Sequence, residues 1–599
     1  MTPTPSWDRA ARVLLVAQGV LFVALAHSEA PLAWTVLSSY FAEISADLLG
    51  AGGSPLDGYD GLVFGPLFYA ALEAPLLAIF GRVGAVHTTA TLVVALAATW
   101  LTYRFVGRIA SPRAGFLAAL LVAFPPPNTW VHQHFGAYHV LPLVLVPAAG
   151  LLVFTSAPSW RRWAGAGALV GASVGASLGS ISLGPPLLAA RWALSARERG
   201  PAGAGRDAAA CLLGASAGLA PLAYKAWIHV PWGGSAPDGA GAAAGAVKPL
   251  FLGGASAGEI ALRPLTMLTR DLPYGLHFGM EGMAVAGWVF AGAAYAAFGW
   301  AAWAAWSSRQ APPRWTPLLV VPVAVIVVGA LTGWFVFHPG DGPGWTRDAR
   351  HIVGLTLAFA WLMGIAADQA AGRVGRRTIV IVAALAAASV VTQVSAFARA
   401  DGGLHAATPW RLEGRFVSGF FRGPAFADAP EEAVASCATL EGAARRGCER
   451  GVSLAFGHGS ASTRAPDLGP RLRELAPRLA PVSGVYVDLI HGLGWAHAQR
   501  AFGRPAQAAR ACRDPSLWPT EQAYCVQGVG WGYAMDFADR PAVTRAAAET
   551  LDPKDARPFA QGVGVLVRDL MRDPGARARR CARVLPDDLA SWCAEEAGR

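Results

Sequence analysis

Residues 41–61 read FAEISADLLGAGGSPLDGYDG and carry four acids, Glu43, Asp47, Asp57 and Asp60, with no base among them. Carboxylates grouped this way are either a solvated loop or a general base poised to take a proton from an incoming hydroxyl. Far along the chain, HPGDGPGWTRDARH sets Arg347 and Arg350 beside His351. Arginine offers a planar fork of donors matched to phosphate oxygens, so this second group reads as an anion clamp. A third set is WVHQHFGAYHVL, with His132, His134 and His139, echoed by His277 and Glu281 in HFGMEG. Three histidines and a carboxylate make a ligand set for a divalent metal ion. The competing reading treats the same histidines as polar anchors among interfacial Trp and Tyr.

The elements that must position these groups are apolar. The chain has 599 residues, 54% hydrophobic and only 15% charged, with a mean hydropathy of +0.38. A soluble protein of this length needs more charge to cover its surface. Runs at 13–26, 86–106, 116–124, 140–154, 208–228, 283–306, 318–337, 352–367 and 378–397 read as membrane helices. The Gly-rich 164–190 reads as a hairpin of two further short helices, which makes about eleven crossings. Residues 62–80, interrupted by Pro66, Glu73 and Pro75, read as interfacial. The net charge of +10 sits largely in short arginine-rich breaks that fall on alternate turns of the zigzag. That pattern orients helices with the N-terminus cytoplasmic and is unlike the basic stripes that bind nucleic acid. The acids, histidines and arginines above then all face outside, and so does everything after Arg399.

The tail points the same way on different grounds. Residues 431–599, after a linker at 401–430, lack long apolar runs and hold six of the seven cysteines. Cys437/Cys448, Cys512/Cys525 and Cys581/Cys593 are separated by 11, 13 and 12 residues. Regular pairs in a soluble region read as disulfides and hence an oxidising compartment, whereas zinc favours the closer CxxC spacing. The tail also repeats itself, in CERGVSLAFGH, LIHGLGWAHAQ, CVQGVGWGYAM and FAQGVGVLVRD. The leading glycines Gly451, Gly492, Gly528 and Gly562 lie 41, 36 and 34 residues apart, a period suited to stacked helix pairs. Trp495, Trp531 and Tyr533 then read as core.

Residues 41–53, FAEISADLLGAGG, followed by GPLFYAALEAPLLAIFG, resemble the first external loop of GT-C membrane glycosyltransferases. That class includes protein mannosyltransferases and the lipid A aminoarabinose transferase. WAGAGALVGASVGASLGSISLGPPLLAARW resembles the class's Gly-rich hairpin, LLGASAGLAPLAYKAW its outward helix, and TRDARHIVGL the external arginine motif facing the lipid carrier. The resemblance covers roughly residues 10–400 and rests on the order and sidedness of these motifs. The class's acidic pair precedes the AEI stretch, where this chain has Leu37, Ser38 and Ser39. Glu43 and Asp47, four apart on one helical face, are the stand-ins.

The resemblance implies a polytopic all-α domain over 1–400; the cysteine pairs and the glycine period add an extracytoplasmic, disulfide-stapled helical repeat over 431–599, so the whole chain reads as all-α. It implies sugar transfer from a polyprenyl-phosphate donor at the outer face of a bacterial inner membrane. Glu43 or Asp47 would be the base, Asp57 or Asp60 would assist, and Arg347, Arg350 and His351 would hold phosphate. The implied partners are the lipid-linked sugar, the bilayer, and a periplasmic protein or glycan at 431–599. The alternative is a non-catalytic scaffold anchoring that repeat.

Overall fold

The computed structural model describes residues 5–27, 75–76, 78–80, 84–124, 141–154, 158–176, 178–229, 257–273, 284–308, 313–332, 353–374, 377–399, 434–435, 437–438, 442–460, 468–478, 485–501, 504–536, 541–570 and 574–599. Among these every regular element is helical. The N-terminal part comprises α1 (Pro5–His27), α2 (Gly84–Ile109), α3 (Pro112–Ala123), α4 (Leu141–Val153), α5 (Trp160–Ala176) and α6 (Gly184–His229). It continues with α7 (Ala257–Thr266), α8 (Ala284–Ser307), α9 (Val320–Thr332), α10 (Val353–Val374) and α11 (Arg377–Arg399).

Side-chain contacts fix which helix ends lie together. Asp8, at the start of α1, accepts a 2.6 Å hydrogen bond from the Tyr103 hydroxyl near the end of α2. Ser111 caps α3 by accepting from the Ala114 amide, and its hydroxyl donates to Asp368, near the end of α10, at 2.6 Å. Arg113 pairs with the same carboxylate and donates to the Asp368 carbonyl at 3.0 Å. Phe154, just past α4, packs edge-on against Phe105 of α2, which in turn meets Trp361 of α10. Arg191 donates to the Val153 carbonyl at 3.0 Å, and Arg199 to the Pro158 carbonyl at 2.7 Å. One end of the bundle therefore gathers the start of α1, the end of α2, the start of α3, the ends of α4 and α10, and the start of α5. Arg9, Arg12, Arg108, Arg113 and Arg161 all stand on these segments.

α6 is two arms. Gly200 takes φ 73°, in the left-handed region, with Pro201 behind it, and the helix turns back there. Asp207 braces the kink by accepting from Ser195 and Arg199 across it. The second arm runs parallel to α5 at backbone contact: a Cβ on Gly167, Gly171, Gly214 or Gly218 would collide with a carbonyl oxygen of the facing helix. Small residues four apart on both partners are how helices associate where no hydrophobic drive separates them from their solvent.

The surface of this part is inverted relative to a soluble protein. Val16, Leu213, Trp288, Val327 and Val380 are each about half exposed or more. Trp160, Trp303 and Trp306, at the arginine-rich end, are also exposed, which is where interfacial aromatics belong. Two stretches, Leu92–Ile109 and Gly354–Gly372, are long and apolar enough to cross a membrane. α3, α4 and α9 are 12, 13 and 13 residues long as described, short of the roughly 20 that a bilayer core requires.

The C-terminal part has its own core, built from residues between Cys437 and Ala597. Its elements are α12 (Gly442–Ser460), α13 (Leu468–Arg478), α14 (Val485–Arg500), α15 (Pro505–Ala511), α16 (Pro519–Asp536), α17 (Pro541–Glu549), α18 (Pro553–Leu570), α19 (Pro574–Val584) and α20 (Asp587–Gly598). The long helices α12, α14, α16, α18 and α20 pack each on the next. Two residues along a helix turn the chain by about 200°, so the two glycines of a GxG face opposite neighbours. Gly492, Gly528 and Gly562 meet carbonyls of the preceding long helix, while Gly494, Gly530 and Gly564 meet those of the following one. In α12 the forward-facing position belongs to Gly457, which meets the Leu489 carbonyl. The register of the first helix is thus 37 residues ahead of Gly494, four fewer than the spacing from Gly451 to Gly492 suggests.

Disulfides join Cys437 to Cys448, Cys512 to Cys525 and Cys581 to Cys593. The latter two tie the end of α15 to α16 and α19 to α20. Arginines add a second stitch: Arg473 of α13 grips Glu521 of α16 at 2.8 and 2.9 Å, and Arg513 grips Asp555, the equivalent residue of α18. Trp531 and Tyr533 are buried core, as their bland reading has it.

Candidate functional site

Glu43, Asp47, Asp57 and Asp60, the histidines His132, His134 and His139, and the cluster Arg347, Arg350 and His351 lie outside the described residues. The helix ends that bound them are described. Residues 28–83 leave the end of α1 and enter the start of α2. Residues 125–140 join the end of α3 to the start of α4. Residues 333–352 enter the start of α10. All five of these helix ends lie opposite the arginine-rich end established above. Gly354, at the start of α10, packs on Leu183 in the turn that follows α5, at that same opposite end. Among the described residues no group of three or more His, Cys, Asp or Glu is arranged to hold a metal ion.

One residue of this region was not singled out by its sequence. Arg263 in α7 is only 9% exposed, while Leu262 and Leu265 beside it are 60% and 58% exposed. α7 therefore lies with its apolar side outward and turns its arginine into the bundle. The guanidinium donates to the Ala330 carbonyl at 2.9 Å, near the end of α9, where the helix dipole favours a cation. Its remaining donors suit an anion. The packing of α7 on α9 is what turns this arginine inward.

In the C-terminal part, buried polar groups link the long helices. Arg450 of α12 donates to both carboxylate oxygens of Asp488 in α14 and reaches Asp569 at the end of α18. Burial pushes both carboxyl groups above their ordinary range, and the guanidinium pulls against it. His491, Gln527 and Gln561, each the residue before a backward-facing glycine, form a hydrogen-bonded ladder at 3.1 and 3.3 Å. His491 is 4% exposed, and burial draws its pKa down to about 4. Burial opposes the charge of Glu521, yet bonds from Tyr486, the Trp518 amide and Arg473 outweigh it and hold this carboxyl low. These groups orient the packed helices and stabilise them.

No family model and no curated protein matches the chain. Among solved structures it is similar to the oligosaccharyltransferase of Archaeoglobus fulgidus in complex with zinc and sulfate. That match has 15% identity, covers 68% of this chain and 55% of that one, and has a TM-score of 0.44. The chain thus spans about half the length of that protein. The same archaeal enzyme, AglB, with an inhibitory peptide and a dolichol-phosphate matches at 12% identity, covering 89% and 72%, with a TM-score of 0.42. ArnT from Cupriavidus metallidurans bound to undecaprenyl phosphate matches at 14% identity, covering 95% and 90%, with a TM-score of 0.40. Both neighbours are GT-C glycosyltransferases.

Proposed function

We propose that the chain is a multi-pass membrane glycosyltransferase that moves a sugar from a polyprenyl-phosphate donor to an extracytoplasmic acceptor. The supporting observation is topological: the helices bounding the acidic, histidine and arginine segments all open at one end of the bundle, opposite the arginine-rich end. The positive-inside tendency makes that opening the outer face. α10 returns to the arginine-rich end and α11 starts there, so residues 431–599 lie outside, in agreement with their three disulfides. Lipid-facing Val and Leu on α1, α6, α9 and α11 support the bilayer as solvent.

On this reading, Glu43 or Asp47 removes the acceptor's proton, with Asp57 or Asp60 assisting. Arg347, Arg350 and Arg263 balance the charge that grows on the departing lipid phosphate. The histidines would supply a divalent cation site at the same mouth. The test replaces all four loop acids by alanine and, separately, Arg347 and Arg350, then follows sugar transfer from a radiolabelled polyprenyl-phosphate donor in membranes. Transfer should fall to background in each set. Undiminished transfer by the four-acid variant would sink the catalytic assignment. The scaffold alternative gains if deleting 410–599 abolishes partner capture while the loop variants change nothing.

A further inference from the structure

At the arginine-rich end of the bundle, Arg9 and Arg12 stand near the start of α1, and Arg104 and Arg108 near the end of α2. All four are exposed. The two helices pack on each other, and the hydrogen bond from Tyr103 to Asp8 ties these ends together. The carboxylates of this end are engaged elsewhere: Asp8 by Tyr103, Asp368 by Ser111 and Arg113, and Asp207 by Ser195 and Arg199. Among the described residues, no carboxylate lies within ion-pair distance of any of the four arginines. Arg9 and Arg12 are three apart, and Arg104 and Arg108 four apart, so each pair shares a helical face at a repulsive spacing. An anion seated between them would relieve that repulsion.

Each pair also heads an apolar stripe. On α1 the helical steps from the arginines lead to Val13, Val16 and Val20, which are 63%, 66% and 64% exposed. On α2 they lead back to Trp100, Ala97 and Val93, the last 51% exposed. The Trp100 ring lies under the Arg104 guanidinium, 5.6 Å from it, at the depth where an interfacial aromatic sits. The buried residues Ala11, Leu14 and Phe22 of α1 and Ala95, Thr102 and Val106 of α2 occupy the opposite sides of the two helices, so both stripes face away from the bundle. Uncompensated cations above two aliphatic tracks match a molecule with an anionic head and two acyl chains. A soluble anion would use the arginines and leave the stripes idle. A zwitterionic lipid would fill the stripes, but its own ammonium would leave the arginines uncompensated.

We infer that the outward edge of α1 and α2 seats an anionic phospholipid of the cytoplasmic leaflet, its phosphate at Arg9, Arg12, Arg104 and Arg108 and its chains along the two stripes. The inference rests on the bilayer reading and not on sugar transfer, and the seat lies at the end of the bundle opposite the proposed transfer site. The test titrates the full chain in detergent with dioleoyl phosphatidylglycerol and, separately, dioleoyl phosphatidylcholine, bound lipid being counted by native mass spectrometry. The parent should bind the anionic lipid about tenfold or more tighter than the zwitterionic one. Replacing Arg12→Gln and Arg108→Gln together should weaken phosphatidylglycerol by about thirtyfold and leave phosphatidylcholine within about twofold. Arg161→Gln with Arg197→Gln removes the same charge from other exposed arginines and should stay within about threefold of the parent. All four are exposed positions, and thermal unfolding should not change in either double variant. Three outcomes overturn the inference: a parent with no preference between the lipids, an Arg12/Arg108 variant that binds as the parent does, and equal losses in the two double variants. The last would mean diffuse attraction to net charge in place of a seat.

Discussion

At the scale of single residues, the structure turns charge and burial into predictions that need no knowledge of substrate. His491 is neutral when folded, with a pKa near 4 against 6.5 when free. The unfolded chain takes up this proton first as pH falls. Stability is therefore complete above pH 6.5 and declines toward pH 4, by up to roughly 3 kcal/mol. Asp488 and Asp569, whose carboxyls are raised, work in the opposite sense over the acidic range. Comparing His491→Gln with the parent isolates the imidazole: melting between pH 7 and pH 4.5 should become flatter in the variant. Arg450 gives a sharper effect. Removing it as Arg450→Met leaves Asp488, 6% exposed, as an unpaired buried charge, which should cost about 3 kcal/mol. A denaturation midpoint within error of the parent would refute this. Neither role was legible in the sequence, where His491 sits in an apolar string and Arg450 lies 38 residues from Asp488.

At the scale of elements, close backbone approach governs. In α10, a Cβ on Gly364 would stand 2.6 Å from the Ala118 amide of α3, whereas one on Gly372 meets nothing within 4 Å. Gly364→Ala should part the two helices and destabilise by about 2 kcal/mol, while Gly372→Ala is neutral or slightly favourable through helix propensity. Thermal unfolding of the two variants separates packing from propensity, since both lie on one helix. The disulfides belong to the same scale. Reducing Cys512–Cys525 as the double serine variant should cost about 3 kcal/mol. The pairing was readable because 11 to 13 residues is about the length of one turn plus the half-helices that flank it. The register of α12 was not. Gly451 and Gly457 are equally good glycines in sequence, and only the Leu489 carbonyl opposite Gly457 distinguishes them.

For the whole molecule, the proposed sidedness makes two measurable statements. The chain has seven cysteines, six of them bonded, and Cys211 is free within α6. Alkylation of the denatured, unreduced protein should add one label, and reduction should raise the number to seven. Reporter fusions probe the same geometry: alkaline phosphatase joined after residue 430 should be active, and joined within 155–159, beside the arginine-rich end, inactive. The reverse pattern, inactive after 430 and active within 155–159, would mean that the two ends of the bundle have been assigned to the wrong sides.

Composition, the spacing of arginines and the pairing of cysteines determined by themselves that this chain is helical, apolar in its first 400 residues and stapled in its last 160 or so. These are properties of local periodicity and of solvent, and they survive without coordinates. The tertiary structure alone decided which helix ends share a face, that Arg263 turns inward on α9, and that Arg450 bridges helices more than a hundred residues apart. Those relations depend on contacts between distant segments, and a linear chain carries no local signature of which carbonyl will stand opposite which glycine.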